Sequence, residues 1–518
     1  MDISDLPGFY AIAGADPGRE AVVGPGGAVT TYGELLARVD QVSHGLRARG
    51  LVRGEVVAGV LPNGVDPVVM LLATGQIGLY YVPVNWHLTA AEIAYILRDC
   101  DARVVVYGDT GDGALPATVK DACAAAEIPA EATFAGYAGL AQGRPAGAPE
   151  DRSSGSVMWY TSGTTGFPKG VQRALPGSAP EESWPGTRWF VGEVCDLRPG
   201  DEVHLVTSPM YHSAPCAHTQ IALHLGHTVV IAPRFDPVAI LELIERHRVT
   251  NAMMVPTMFH RMLRLPAEVK ERYDLSSLRQ VVHTGAACPV AVKKAIMDWW
   301  GPVLYEYYGS TESAIAFAVK PREWLARPGT VGRPAPTFEV RILDEDGGDL
   351  PAGRPGMIYV RSSVGSFHYR NDPARTAAGK RGEWYAPGDI GHLDEDGYLF
   401  LCDRRTDLII SGGVNIYPAE VEAALLEHPA VADVAVIGVP DEEWGQKAVA
   451  LVQPAPGTPT GPALTAELLT HCAPRIARFK HPRVVEYRDE LPRTPTGKLS
   501  RSRLRDAYLQ TMGEMRDL

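Results

Sequence analysis

Hydrophobic and polar positions alternate along the first hundred residues in blocks typical of helices placed between buried strands. Thr31 and Glu34 form a Thr-x-x-Glu capping box, followed by an amphipathic pattern that predicts a helix to about Gly50. Thr89 and Glu92 repeat this signal before a second helix. Apolar runs that predict strands lie at 55–62, 81–85 and 102–108. This alternation predicts a parallel sheet covered by helices.

The alternation resumes after residue 200, beyond two stretches with little periodicity. Residues 109–155 predict an irregular connection with one short helix near 117–126, and residues 174–198, with three prolines, predict a loop-like insertion. The later elements are strands at 203–209, 228–233, 251–256, 279–285 and 303–309 and helices at 236–248 and 291–300. A further apolar run, 156–160, predicts a buried strand.

The pattern changes twice more towards the end of the chain. Between 329 and 403 short strands alternate with turn pairs such as Asp346-Gly347, which predicts a β-rich subdomain. After about Arg404 a smaller unit combines helices and strands: a helix at 419–426, two apolar strands, and helices near 464–477 and 500–510. We therefore predict an α/β protein. Its large N-terminal domain (1–403) has parallel and mixed sheets with helices plus the β-rich subdomain, and its small C-terminal domain (404–518) is α+β.

Charge and composition narrow the classes of function. The 518 residues carry a net charge of −12, which argues against nucleic acid or an anionic membrane as the main partner. No apolar run approaches the length of a membrane-spanning helix, and no secretory signal is evident, so we expect a cytoplasmic protein without a membrane span. The seven cysteines are scattered without a CxxC pair and the histidines show no HExxH spacing, which favours reduced thiols and no zinc site.

The stretch 161–170, Thr-Ser-Gly-Thr-Thr-Gly-Phe-Pro-Lys-Gly, has the chemistry of a phosphate-binding loop. Its glycines let backbone N–H groups approach a phosphate, its hydroxyls add donors, and Lys169 adds a positive charge. It differs from a Walker loop because Pro168 precedes the lysine and Gly170 follows it. The stretch predicts a site for a nucleotide triphosphate; the alternative is a flexible Ser/Gly loop.

A second string, Tyr-Glu-Tyr-Tyr-Gly-Ser-Thr-Glu at 305–312, lies where a predicted strand ends, the usual place for ligands in α/β sheets. Tyr308 can stack on a base and Glu306 can accept a hydrogen bond from an amino group. Thr311 can donate to a phosphate, and Glu312 offers a hard oxygen ligand for Mg²⁺. A plain turn after a core strand is the alternative for this string on its own.

These two strings, together with Gly-Tyr-Leu-Phe-Leu-Cys-Asp-Arg-Arg-Thr-Asp-Leu at 397–408 and its continuation to 422, closely resemble the adenylate-forming superfamily. That superfamily includes acyl-CoA synthetases, the adenylation domains of peptide synthetases and the beetle luciferases. The resemblance covers essentially the whole chain and is strongest to the acyl-CoA synthetase branch. It implies a two-step ligase: a carboxylate and ATP·Mg²⁺ give acyl-AMP and pyrophosphate, and a thiol, most often coenzyme A, then displaces AMP. It also implies a mobile C-terminal domain.

The resemblance implies a nucleotide site and a catalytic lysine. Lys498, in a Pro/Gly-rich segment, would offset the charge that develops at the α-phosphate; a solvated surface lysine is the alternative. The catalytic set is Lys498, His212, Thr165 and Glu312, and Mg²⁺ would bind Glu312 and Thr165. The implied ATP and AMP contacts are Thr161, Ser162, Gly163, Thr164, Thr165, Gly166, Lys169, Gly285, Ala286, Ala287, Glu306, Tyr307, Tyr308, Gly309, Thr311, Asp389, Arg404 and Lys498.

The resemblance also implies an acyl pocket and a thiol site. The implied acyl-pocket residues are Tyr211, His212, Ser213 and Met254, and the implied coenzyme A contacts are Gly412, Gly413, Trp444 and Phe479. No Asp or Glu occurs from Ser208 to His224, where amino-acid-activating members usually pair with the substrate ammonium. An uncharged, bulky apolar acid is therefore favoured, with a fatty or polycyclic terpenoid- or steroid-like acid first and an aryl acid second.

Three functions remain open at this point. The first is an acyl-CoA ligase of lipid or natural-product metabolism, and the second is an adenylating enzyme that passes its acyl group to a carrier protein or partner enzyme. The third, a non-enzymatic nucleotide-binding module, is disfavoured because all the charged motif residues are present. Thr406 stands at the implied hinge, where many members carry a charged residue, so we hypothesise secure adenylation and less secure thiol transfer. A homodimer is expected by family habit alone.

Overall fold

The computed structural model describes residues 8–161, 168–363, 365–404, 407–411, 414–441, 444–493, 499 and 501–516. Across these ranges, no helix combines the length and the apolar character needed to cross a membrane. The elements up to residue 161 are α1 (Phe9–Ala15), β1 (Glu20–Val23), β2 (Val29–Thr31), α2 (Tyr32–Arg47), β3 (Val56–Val60), α3 (Val65–Gln76), β4 (Tyr80–Pro83), α4 (Ala90–Asp99), β5 (Ala102–Tyr107), α5 (Ala114–Ala125), β6 (Thr133–Ala135), α6 (Ala138–Ala141), β7 (Ser156–Val157) and β8 (Trp159–Thr161).

Both capping boxes form as predicted. The Thr31 and Thr89 side chains each accept a hydrogen bond from the backbone N–H of the glutamate three residues on. In return, the carboxylate of that glutamate accepts from the threonine N–H. Strands β3 to β7 build a parallel sheet in the order β6-β5-β3-β4-β7. Strand β6 lies in the segment that we predicted to be irregular, and it extends the sheet beyond β5. The predicted strand 156–160 is interrupted at Met158 and is half-buried rather than buried.

The middle of the chain contributes the sheet that carries the candidate site. Its elements are β9 (Lys169–Arg173), α7 (Pro180–Cys195), β10 (Val203–Val206), α8 (Ser213–His224), β11 (Thr228–Ile231), α9 (Pro237–His247), β12 (Asn251–Met254), α10 (Pro256–Leu263), α11 (Ala267–Lys270), β13 (Gln280–His283), α12 (Val290–Trp300), β14 (Leu304–Ser310) and β15 (Ala314–Val319). Strands β1, β11, β10, β12, β13 and β14 pair in parallel in that order, with helices packed on the sheet.

The loop-like insertion predicted for 174–198 is wrong. The segment contains the sixteen-residue helix α7. Pro180 occupies its first turn, where the missing N–H has no helical partner to lose and the fixed φ favours the helix. Proline is common in loops, but Pro180 marks the start of a helix.

The β-rich subdomain is present as predicted and continues the large sheet. Its elements are α13 (Pro321–Ala326), β16 (Thr330–Pro334), β17 (Phe338–Leu343), β18 (Gly356–Ser362), β19 (Phe367–Tyr369), α14 (Pro373–Ala378), β20 (Lys380–Arg381), β21 (Trp384–Tyr385), β22 (Asp389–Leu393) and β23 (Leu399–Arg404). Antiparallel pairing from β14 through β15 and β16 leads to β23, β22 and β18. Strand β19 leaves this sheet and pairs with β9, which in turn pairs with β8.

The last part of the chain forms a smaller sheet with its own apolar core. Its elements are β24 (Ile409–Ser411), β25 (Val414–Ile416), α15 (Pro418–Leu426), β26 (Val431–Asp441), β27 (Gly445–Pro454), α16 (Pro462–Cys472), β28 (Val484–Tyr487) and α17 (Arg501–Arg516). The strands are antiparallel except for β28, which runs parallel to β27. The predicted α/β class, with large mixed and parallel sheets followed by a small C-terminal unit, is confirmed.

Candidate active site

Strand pairing brings Lys169 and Tyr369 together although they are far apart in sequence. Lys169 opens β9 and Tyr369 ends β19, its antiparallel neighbour. The Lys169 ammonium donates to the Tyr369 hydroxyl (2.7 Å) and lies 4.0 Å from the centre of its ring. The same hydroxyl donates to Glu312 Oε1 (2.9 Å), which lies 3.6 Å from Lys169 Nζ. Two predicted ligand-binding residues of opposite charge are thus linked through one tyrosine.

The environment of this cluster keeps the tyrosine protonated and perturbs the lysine. Burial raises the pKa of Tyr369 far above its usual value, and the Glu312 carboxylate raises it further. Burial lowers the pKa of Lys169, an effect that Glu312 opposes. Tyr369 is therefore a neutral hydroxyl whose single proton goes to the carboxylate and whose lone pair accepts from the ammonium.

Arg173, at the other end of β9, fixes the backbone that carries the predicted phosphate and metal ligands. Its guanidinium donates to the carbonyl oxygens of Thr311 (3.0 Å) and Glu312 (2.7 Å). The turn beyond β14 is tight, since a Cβ on Gly309 would lie 1.8 Å from the Ala314 carbonyl oxygen. Only glycine fits at 309, because β15 returns close to β14 there.

Glu306, on β14, lies in a second lysine–glutamate pair that is buried. Its Oε2 accepts from the Lys293 ammonium of α12 (2.7 Å), and the Lys293 side chain is fully buried, 4.6 Å from the centre of the Trp324 ring. Burial raises the pKa of Glu306 and Lys293 opposes that rise; burial also holds the pKa of His283, 3.5 Å away, well below its usual value. The predicted contact of Glu306 with adenine stays a prediction, and its carboxylate already has a partner.

Tyr308 and Asp389, predicted for the base and the ribose, are in contact. The Tyr308 hydroxyl donates to Asp389 Oδ2. Asp389 begins β22 directly opposite Arg404 on β23, so the two predicted ribose ligands are cross-strand neighbours. The Gly285–Ala287 stretch leaves the end of β13 and is exposed, which leaves room for a flat ligand beside Tyr308. The Thr161 hydroxyl is buried without a hydrogen-bond partner among the described residues.

The predicted acyl-pocket residues lie in two different environments. His212 is the N-cap residue of α8, and its ring lies 4.4 Å from that of the buried Tyr211. Ser213 follows as the first residue of that helix and is half-buried. Met254 is fully buried in the hydrophobic core between the sheet and α10, so its side chain does not reach the surface near His212.

Helix α8 also contributes to a row of three aromatic side chains that the sequence did not reveal. His218 of α8 stacks between His204 of β10 (6.2 Å, 14°) and Tyr307 of β14 (6.0 Å, 15°). Burial lowers the pKa of His204 to about 4 and that of His218 to about 3, so both rings are neutral at pH 7. His218 is 3% exposed, and its Nε2 has no hydrogen-bond partner among the described residues.

On the C-terminal unit, the two predicted coenzyme A contacts are exposed aromatic residues. Phe479 is 53% exposed and Trp444 is 36% exposed. The guanidinium of Arg483 lies 4.4 Å from the centre of the Trp444 ring, and Lys480 pairs with Glu420 (2.6 Å). Aromatic faces beside cationic side chains suit a nucleotide that carries phosphates.

Arg501 ties the end of the chain to the predicted domain boundary. Its buried guanidinium pairs with Glu422 of α15 and with Asp407 (3.0 Å), and it lies 3.6 Å from Asp403 of β23. Opposite charges raise the pKa of Arg501 against the effect of burial. Arg501, three residues after Lys498 in sequence, thus contacts the region of the predicted hinge.

Several predicted residues lie outside the described part of the chain. These are Ser162, Gly163, Thr164, Thr165, Gly166, Thr406, Gly412, Gly413 and Lys498, together with the side chain of Arg404. Their predicted roles stay predictions. Among the described residues, no group of three or more His, Cys, Asp or Glu side chains could hold a metal ion. A metal bound through Glu312 would therefore need ligands from the phosphate loop or from the nucleotide itself.

Sequence reasoning missed Tyr369, Arg173, His218 and Lys293. Lys293 had a signal: it lies three, four and seven residues before Ile296, Met297 and Trp300, which places it on the buried face of α12. Tyr369 had none, because its contacts come from strand pairing across 200 residues.

Comparison with known sequence families identifies both parts of the chain. The family described as AMP-binding enzyme matches residues 9–367, and the family described as AMP-binding enzyme C-terminal domain matches residues 420–498. The boundary at 403/404 lies between these two ranges and stays a prediction.

Similar proteins cover nearly the whole chain. It is 34% identical over 506 residues to the indoleacetate–CoA ligase of Aromatoleum aromaticum, covering 95% of this chain and 96% of that one. It is 31% identical to the long-chain-fatty-acid–CoA ligase FadD13 of Mycobacterium tuberculosis over 510 residues, or 96% and 97% of the two chains. The solved structure of the amide bond synthetase McbA from Marinactinospora thermotolerans is similar with a TM-score of 0.82 and 31% identity, over 95% of this chain and 97% of that one.

Proposed function

The chain belongs to the AMP-binding enzyme family and is an AMP-forming acid–CoA ligase, and on that premise we propose that its substrate is a planar aromatic carboxylic acid with a polar substituent. The observation that carries this proposal is the row His204–His218–Tyr307 with its unpartnered ring nitrogen. A buried polar atom without a partner costs free energy, which a hydrogen-bonding group on the substrate would recover. A polymethylene chain offers no such group.

The charges around His218 limit the substituent that the acid can carry. No acidic residue lies between 208 and 224, and both histidines of the row are neutral, so the substituent is itself uncharged, such as a hydroxyl or an N–H. This favours the aryl alternative over the fatty or polycyclic acid.

In the proposed first step, the carboxylate attacks the α-phosphate of ATP, giving acyl-AMP and pyrophosphate. Lys169 binds the terminal phosphates, Thr311 an α-phosphate oxygen, Tyr308 the base, and Asp389 with Arg404 the ribose. Lys498 offsets the charge that develops in the transition state, a contribution of about 3 kcal/mol.

Mg²⁺ fits the site chemically, because Glu312 offers a carboxylate beside the phosphate loop and Thr165 a hydroxyl. When bound there, the ion would offset the charge of the phosphates. The orientation of the Glu312 carboxylate is the contribution of the chain's own residues, through Tyr369 and Arg173.

In the proposed second step, the thiol of coenzyme A attacks the acyl carbon and releases AMP. The exposed Trp444 and Phe479 with the neighbouring Arg483 support a nucleotide-bearing thiol at this face. A different acceptor, an amine, a carrier protein or a partner enzyme, is the second candidate. It is favoured by the similarity to an amide bond synthetase and by Thr406 at the predicted hinge.

Product analysis by mass spectrometry tests the proposal. The protein is incubated with ATP, Mg²⁺ and coenzyme A together with matched acids: aryl acids with and without a hydroxyl or N–H, fatty acids, and polycyclic acids. We expect an acyl-CoA from a substituted aryl acid. The variant His218→Phe should no longer prefer the substituted acid to the unsubstituted one. Fatty acyl-CoA as the main product would refute the aryl proposal, and acyl-AMP without acyl-CoA would favour the second acceptor.

A further inference from the structure

Tyr369 is the one side chain that touches both Lys169 and Glu312 in the described part of the site. Its hydroxyl accepts from the lysine and donates to Oε1 of the glutamate, at 2.7 and 2.9 Å. With the hydroxyl in place, the ammonium and the carboxylate oxygen stay 3.6 Å apart, beyond the length of a strong charged hydrogen bond.

We propose that Tyr369 is a positioning residue that keeps Lys169 and Glu312 from closing into a direct ion pair and fixes the glutamate for the metal–nucleotide complex. This inference rests on the proposed function, in which Lys169 binds terminal phosphates and Glu312 binds Mg²⁺. The hydroxyl donates to Oε1 of the carboxylate, which would leave Oε2 available to a bound ion. Partners of metal ligands commonly act in this way.

The surroundings hold Tyr369 itself in place. Its backbone pairs with Val171 in β9, two residues from Lys169, and its N–H donates to the Thr376 hydroxyl (2.9 Å). Its ring packs at an edge against Phe367 (5.4 Å between centroids). Glu312 is held from its own backbone side by Arg173. The position of the Tyr369 hydroxyl between the lysine and the glutamate is thus set by contacts that do not depend on the nucleotide.

Removing only the hydroxyl isolates this role. In Tyr369→Phe the ring remains, and the ammonium and the carboxylate can approach each other directly, so that ATP·Mg²⁺ must break an ion pair before it binds. We expect the Kd of ATP·Mg²⁺ to rise at least about tenfold. The Kd of AMP, which has no terminal phosphates and needs no metal, should stay unchanged.

The experiment is an equilibrium titration by calorimetry of ATP·Mg²⁺ and, separately, of metal-free AMP. The matched control is Tyr398→Phe, which removes another tyrosine hydroxyl that donates to a carboxylate, that of Glu323, outside the cluster. The control should leave both affinities unchanged. Titration of Mn²⁺ in the presence of the nucleotide, followed by electron paramagnetic resonance, gives a direct second measure of the metal.

The outcomes separate this inference from the proposed function. If the wild-type chain binds no ATP·Mg²⁺, the proposed function fails. If it binds and Tyr369→Phe binds equally well, only the role of Tyr369 is refuted. An equal loss of ATP·Mg²⁺ and AMP affinity would also refute it, because a general loosening of the site affects both ligands.

Discussion

Two lysine–glutamate pairs flank β14, and they differ in how the charges meet. Lys293 and Glu306 touch directly at 2.7 Å, with side chains 0% and 7% exposed. Lys169 and Glu312 stay 3.6 Å apart with a tyrosine hydroxyl between them, at 20% and 8% exposure. In the direct pair each charge has the other as its partner inside the core. In the bridged pair both charges stay able to bind a ligand. The two pairs carry the same charges and differ in how far apart those charges lie. We therefore expect the direct pair to stabilise the fold and the bridged pair to bind the ligand.

The largest expected effect is on stability and comes from the direct pair. In Lys293→Met, Glu306 stays buried without its partner, and the free energy of unfolding should fall by about 3–5 kcal/mol. Urea denaturation measures this loss. The double variant Lys293→Met/Glu306→Gln removes the unpaired charge and should recover much of the loss. No recovery would show that the lysine acts through packing on Trp324 instead.

The next effect is on catalysis and comes from the bridged pair. Glu312→Gln should slow the carboxylate-dependent exchange of pyrophosphate into ATP by about 10²–10³-fold, because the carboxylate that would hold the charge-stabilising Mg²⁺ is lost. Its thermal unfolding should stay close to that of the wild type. Lys293→Met is the mirror control, with lower stability and a nearly normal exchange rate. If the two variants had the same stability and the same exchange rate, the proposed difference between the two pairs would be refuted.

A smaller effect is the pH dependence of the Lys293→Met variant. Burial raises the pKa of Glu306 above its ordinary value of 4.5, and the loss of Lys293 raises it further. The folded state then binds the proton more tightly than the unfolded state, so stability is fully present below about pH 4.5 and is lost as the pH rises through the folded pKa. Unfolding at about pH 5 and about pH 8 should show the larger deficit at the higher pH. The double variant should lack this difference.

Local signals predicted much of the fold. The capping boxes at Thr31 and Thr89 and the alternation of apolar blocks located the first helices and strands to within a few residues. The prediction failed where a local signal has two meanings. A proline is common in loops but also at the first turn of a helix, as Pro180 is in α7.

The residues of the candidate site also differ in whether the local sequence predicts them. Lys169 and Glu312 lie in short sequence motifs whose residue types already indicate phosphate and metal binding. Tyr369 and Arg173 act through contacts that exist only once β9, β19 and the end of β14 are assembled. His218 lies within a helix, and its ring joins the aromatic row only through packing against Tyr307 and His204. Residues that position others, or that shape a pocket, are thus harder to predict than residues that bind.

The most direct test of this account is one titration of ATP·Mg²⁺ into two matched variants, Lys169→Met and Lys293→Met, at a temperature at which both are folded. We expect Lys169→Met to lose affinity by more than about tenfold while its thermal unfolding is kept, and Lys293→Met to bind like the wild type while its unfolding temperature falls. Equal affinities in the two variants, or a loss confined to Lys293→Met, would contradict the assignment of the bridged pair as the site and of the direct pair as the scaffold.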